Sequence, residues 1–136
     1  MKAVDTNVLA RFFINDADDK EAVRQRPAAV AALSSAVYVP VSVTLEFEWL
    51  MRGFYELPRK DIQRVLESLC GLENVQIEDR ESVLAALTAY QKGLDFADAL
   101  HLARSGSCSA FLSFDQRLKK RAQAAELSPT IETPTA

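Results

Sequence analysis

The sequence predicts an α/β fold, a sandwich with helices on both faces of a parallel sheet, and three observations predict it. Short apolar, β-branched runs alternate along the chain with longer segments of helical periodicity. Successive runs are separated by helical segments rather than tight turns, so the strands pair in parallel through crossovers. The first run, Lys2-Ala3-Val4, stops on Asp5-Thr6-Asn7 before a helical pattern begins, which reads as strand, polar turn, helix. Asp5 therefore falls on the carboxyl edge of the first strand, where ligands and chemistry gather in open α/β sheets.

A chain of 136 residues suits one hydrophobic core, so the expectation is a single domain over 1–136. With 49% hydrophobic and 26% charged residues the composition is that of a globular protein, neither disordered nor collagen-like. No apolar run approaches the ~20 residues of a membrane helix and no leader precedes Asp5; the expectation is a cytoplasmic protein without a membrane partner. Cys70 and Cys108 form no CxxC pair and are expected to be reduced, half-buried thiols. A net charge of −3 does not advertise nucleic-acid binding, so an anionic substrate would need a metal ion or a local basic patch.

In order, Val8, Leu9, Phe12 and Phe13 make one face of the first helix, with Arg11 on the other side. Residues 21–33 are alanine-rich and helical, but Pro27 predicts either a kink or two helices. The β-branched and aromatic run 36–41 is the second strand. Ser42 is placed to cap a helix that stops at Gly53, and Leu57-Pro58 opens another, whose stripe of Ile62, Val65, Leu66 and Leu69 ends at Gly71. Val75-Gln76-Ile77 is the third strand. Helices follow at 79–90, stopped by Lys92-Gly93, and at 96–105. Residues 110–114 are the fourth strand and 116–121 a short basic helix. Pro129 and Pro134 leave room for only a brief edge strand near Thr130 and Ile131.

On this map Asp5, Glu46 and Asp115 come to the carboxyl edge, and Asp98 reaches it if its helix begins there. Converging carboxylates repel one another and raise their own pKa values unless a cation intervenes. Mg²⁺ or Mn²⁺ suits an all-oxygen ligand set and can activate water against a phosphodiester. The simpler reading is that acids favour helix N-termini for dipole reasons alone.

Local context favours the first reading. Asp5-Thr6-Asn7-Val8-Leu9, Glu46-Phe47-Glu48-Trp49-Leu50, Leu94-Asp95-Phe96-Ala97-Asp98-Ala99-Leu100 and Ser113-Phe114-Asp115 together resemble the four acidic motifs of PIN-domain ribonucleases, above all the VapC toxins of bacterial toxin-antitoxin pairs. The resemblance runs from residue 3 to about residue 120. It implies a PIN-like three-layer sandwich with a parallel sheet of about five strands and a catalytic pocket of Asp5, Glu46, Asp98 and Asp115. Asp5 and Asp98 would contact Mg²⁺ or Mn²⁺, while Asn7 and Ser113 would hold the carboxylates by hydrogen bonds. It further implies an RNA substrate, a homodimer, and an antitoxin whose tail blocks the pocket.

Glu46 and Glu48 point ~200° apart on a helix, so one alone can face the pocket; the family pattern selects Glu46 and leaves Glu48 solvated or ion-paired. Asp95 directly precedes a helix and reads as its N-cap rather than a ligand. His101, the one histidine, has no partner for a triad and reads as helix packing. Arg117, Lys119, Lys120 and Arg121 are either a solvated helix end or RNA-phosphate contacts, with Arg11 and Arg52 as further contacts. Phe47, Trp49, Leu50 and Phe54 read as core or dimer-interface packing rather than a base-stacking platform. An aspartyl phosphotransferase would want a second acid where Asn7 stands. The alternative function is a catalytically silent domain whose acidic pocket binds a partner's basic tail.

Overall fold

Five short strands and seven helices alternate along the chain, and every strand pairing is parallel, the α/β class that the alternation predicts. The computed structural model describes residues Met1–Ala136, which divide into two units, Met1–Arg80 and Glu81–Ala136.

The first unit contains β1 (Lys2–Ala3), α1 (Thr6–Phe13), α2 (Lys20–Leu33), β2 (Val37–Val39), α3 (Val41–Gly53), α4 (Arg59–Gly71) and β3 (Val75–Ile77). The strands form one sheet in the order β1-β2-β3, with Lys2 opposite Val37 and Val39 opposite Ile77. Val37, Val39, Val75 and Ile77 turn inward, alternating with the less buried Tyr38 and Gln76. Ile62, Leu66 and Leu69 of α4 and Leu9, Phe47 and Met51 of α1 and α3 are fully or almost fully buried. Each such side chain contributes about 1.5–3 kcal/mol over its exposed state.

One helix boundary departs from the sequence reading, and at Pro27 one of two alternatives drops out. Pro27 does not divide the segment into two helices, because α2 runs through it as one helix. Proline leaves the carbonyl four residues earlier, on Val23, without its helical donor, and Val23 and Pro27 both lie on an exposed face where water can replace it. Ser42 is not the cap of α3; that helix starts at Val41 after Pro40, without a side-chain cap of its own. The orphan donor is satisfied from a distance: Val41 N–H donates to Glu78 Oε1 at 2.8 Å, so the residue after β3 closes the head of α3.

The second unit contains α5 (Arg80–Gln91, beginning on the last residue of the first unit), α6 (Phe96–Ala103), β4 (Ala110–Leu112), α7 (Gln116–Ala124) and β5 (Thr130–Glu132). The brief edge strand expected near Thr130 is β5, paired with β4 so that Ala110 faces Thr130 and Leu112 faces Glu132. α5 stops as expected at Gly93, whose φ of 102° suits glycine. Gly93 N–H donates to the Tyr90 carbonyl and Leu94 N–H to that of Ala89, the paired bonds of a Schellman cap. Tyr90 and Phe96 meet edge to face at 5.8 Å among buried Val83, Leu87, Leu94, Leu100 and Leu118.

The two thiols are unpaired, but neither is half-buried. Cys70 lies in the core, where burial pushes its thiol up, with Glu67 adding and Arg80 opposing; Cys108 is exposed. No helix is long and apolar enough to cross a membrane.

One charge is buried in the first unit. Glu48 is 1% exposed, and Arg52, one turn later, donates Nε to its Oε2 at 3.0 Å and Nη2 to its Oε1 at 3.4 Å. Of the two roles open to Glu48 in sequence, the ion pair is the one realised. Truncating Arg52 would remove that neutralising group from a buried carboxylate. Arg52→Ala should lower stability by about 2 kcal/mol, read as a lower urea midpoint at unchanged slope, whereas Lys60→Ala on the exposed surface should leave the midpoint in place.

Candidate active site

The four sequence-predicted acids fall into two pairs, Asp5 with Glu46 in the first unit and Asp98 with Asp115 in the second. Asp5 follows β1 as the N-cap of α1, its Oδ1 accepting the Val8 N–H at 3.1 Å. The next residue, Thr6, is buried and donates its hydroxyl to Glu46 Oε1 on α3. Glu46 itself is exposed while Glu48 is buried, the opposed orientation that a two-residue offset on a helix dictates. Asp5, Thr6, Asn7, Glu46, Trp49 and Leu50 line one concavity of about 240 Å³. The sequence reading gave Asn7 the task of holding a carboxylate. Asn7 does line the concavity, but the bond that fixes Glu46 comes from Thr6. Its signal was a hydroxyl residue, inside the first motif, at the position that turns into the core.

In the second unit Asp95 is the N-cap of α6, as expected, accepting the Asp98 N–H at 3.2 Å. Asp98 sits in the first turn, half-buried. Burial above all pushes its carboxyl above the usual carboxylate range; the like charges of Asp95 and Asp115 add, and His101 partly opposes. Asp115 caps α7, its Oδ1 accepting the N–H groups of Arg117 at 3.0 Å and Leu118 at 3.1 Å. Ser113 braces this acid through the backbone, its Oγ accepting the Asp115 N–H at 3.0 Å, rather than through the carboxylate.

A cleft of about 150 Å³ gathers Asp95, Asp98, Asp115, Arg117 and Arg121 with Leu94 and Leu118. Arg117 and Arg121 are one turn apart on α7 and so share a ridge. Both are exposed, and neither forms an ion pair with the three carboxylates it borders. Of the four basic residues weighed as RNA contacts, Arg117 and Arg121 line the cleft and Lys119 and Lys120 do not. The other proposed phosphate contacts are held by the protein: Arg11 by Gln25 at 2.9 Å and Tyr55 at 3.1 Å, and Arg52 by Glu48. His101 is exposed rather than packed. Of the four apolar residues expected in the core or at a dimer interface, Phe47 is in the core, while Trp49 and Phe54 are exposed on the single chain.

The donor set is entirely carboxylate oxygen, the chemistry that suits Mg²⁺ or Mn²⁺. The raised carboxyl of Asp98, crowded by two further acids, is the electrostatic conflict that a divalent ion relieves. On that ground the chemistry of the residues suits a metal ion, although no three His, Cys, Asp or Glu side chains stand together as a metal-binding group.

This chain belongs to the PIN domain family, whose pattern it matches over residues 2–124, a span that includes all four acids. It is similar to the VapC ribonuclease of Aquifex aeolicus (strain VF5), with 27% identity over 123 residues covering 88% of this chain and 91% of that protein.

The raised Asp98 carboxyl has a stability consequence of definite sign. The folded state binds this proton more tightly than the unfolded state, so stability falls as pH climbs from the ordinary carboxylate value, about 3.9, to the raised one, and the penalty persists at neutral pH. Asp98→Asn removes the charge. In metal-free buffer its melting temperature should exceed that of the wild type at pH 7, and the gap should close as pH drops below about 4, measured by thermal denaturation across pH.

Proposed function

We propose that this chain is a metal-dependent endoribonuclease, the toxin of a toxin-antitoxin pair, whose hydrolysis of RNA phosphodiester bonds uses Asp5, Glu46, Asp98 and Asp115 within one PIN domain spanning 1–136. The observation that carries the proposal is Asp98, a half-buried carboxylate crowded by Asp95 and Asp115 and bordered by arginines that do not pair with it. Structural acids are neutralised or solvated; this one is held in conflict. Membership of the PIN domain family and similarity to a protein named as a ribonuclease support the choice of chemistry.

Asp5 and Asp98 are the residues to hold Mg²⁺ or Mn²⁺. Bound there, the ion supplies Lewis acidity toward the phosphate and a lowered pKa for water. Glu46, steadied by the Thr6 hydroxyl, orients the attacking water and accepts its proton as the water oxygen bonds to phosphorus and the ester oxygen leaves. Asp115, fixed by its cap and by Ser113, keeps negative charge beside Asp98. Arg117 and Arg121 hold phosphates of the bound strand, a task for which the fork of donors on each guanidinium is suited. The partners that follow are an RNA substrate, a cognate antitoxin and a second copy of the chain, in the cytoplasm.

RNA cleavage assays test this reading. Asp5→Asn and Asp98→Asn should each reduce kcat by roughly 100-fold or more, and a chelator should abolish turnover until Mg²⁺ or Mn²⁺ is restored. Saturation with the ion, at about 100 times its Kd, should stabilise the wild type by about 2.7 kcal/mol and leave Asp98→Asn much less affected. Arg121→Gln should raise KM and flatten the salt dependence, while Lys120→Gln should do neither. Cleavage indifferent to chelator and to both aspartate changes would remove the proposal and favour the silent domain that binds a basic tail.

A further inference from the structure

We propose that Trp49 is a base-stacking subsite for single-stranded RNA, its exposed indole taking the face of an unpaired nucleobase beside Asp5 and Glu46. The proposal rests on the ribonuclease reading and adds to it where the strand lies. Trp49 is 60% exposed. On α3 the buried positions are Thr44, Phe47, Glu48 and Met51; Trp49 stands on the opposite side of the helix with the exposed Ser42, Glu46 and Gly53. The fold does not use this ring as core, and an exposed indole of that size is a feature to be explained by what it binds.

Its position says where that is. Trp49 follows Glu46 by three residues, so the two share a helix face, and both line the concavity with Asp5, Thr6 and Asn7. A ligand held at these carboxylates is within reach of the ring. On the other side, a Cβ at residue 53 would stand 3.9 Å from Trp49 Cε2, so glycine there leaves the flank of the indole uncovered.

The chemistry of the lining selects the occupant. An apolar protein surface closing over this concavity would bury the Asp5 and Glu46 charges without a counter-charge, which is costly. A phosphate needs the metal ion to approach these charges and has no π face to offer the ring. An arginine-bearing peptide could offer cation–π contact to the ring, but its guanidinium binds best to both oxygens of one carboxylate. Here one oxygen of each is already engaged, Asp5 Oδ1 by the Val8 N–H and Glu46 Oε1 by the Thr6 hydroxyl. A nucleobase is neutral and presents a π face to the indole without drawing on the oxygens that Asp5 and Glu46 keep for the reaction. Because every base has a π face, the subsite tolerates sequence.

Trp49 is the only tryptophan in the chain, so emission excited at the red edge, where the three tyrosines do not absorb, reports this residue alone. With chelator present to prevent cleavage, a fluorescein-labelled single-stranded RNA of about eight nucleotides should bind by anisotropy and quench the emission, while inorganic polyphosphate, which has phosphates but no bases, should not quench. Trp49→Leu, checked for folding by circular dichroism, should weaken RNA binding roughly 5- to 150-fold, and Trp49→Phe should recover most of the loss. RNA binding without quenching, quenching by polyphosphate, or equal affinity in both variants and wild type would overturn the subsite and leave the ribonuclease reading standing. Quenching by an arginine-rich peptide but not by RNA would assign the ring to a protein partner instead. Absence of RNA binding altogether would overturn the subsite, while the cleavage assays above decide the ribonuclease reading separately.

Discussion

A carboxylate at the head of a helix is stabilised by the unpaired N–H groups it meets there and by the dipole behind them, and this interaction organises the acids of the chain. Asp5, Asp95 and Asp115 each cap a helix, and each uses a single carboxylate oxygen to do so. The cap fixes the side chain at a strand-to-helix junction or a helix start, and it leaves the second oxygen for other work. Structural and chemical readings of these aspartates are therefore not rivals; capping is how the fold holds the acids in place. Asp98 stands apart because it sits inside the first turn rather than ahead of it, where its neighbours are other acids and its own backbone N–H is spent on Asp95.

Interactions local in sequence were legible in advance. The third strand at Val75–Ile77, the glycine stop at Gly93, the cap at Asp95 and the brief strand at Thr130 follow from patterns a few residues long. What sequence concealed is long-range. The Thr6 hydroxyl meets a carboxylate forty residues away, and Glu78 closes a helix that begins thirty-seven residues earlier; no local pattern announces either. The basic run was open to RNA contact as a whole, Arg121 included; what its local pattern did not show is that α7 continues to Ala124, which keeps Arg121 within the helix and on the ridge of Arg117.

On α3 the usual sorting of side chains is inverted: a glutamate is buried and the neighbouring tryptophan faces out. Hydropathy alone would exchange them. The buried acid is tolerated because Arg52 reaches it along the helix, and the displaced ring comes to rest beside Glu46. Departures from local rules of this kind concentrate where a protein meets its ligands, and here the departure shares a concavity with two of the four acids.

The contrast between the two cysteines gives the chain a built-in pair of spectroscopic handles. Cys70 is shielded by the core and its thiolate is disfavoured, so a maleimide dye offered to the native protein will react at exposed Cys108. That places an acceptor in the second unit and leaves the lone indole as donor in the first. Energy transfer between them can follow the two halves of the chain in solution without the introduction of a single foreign residue.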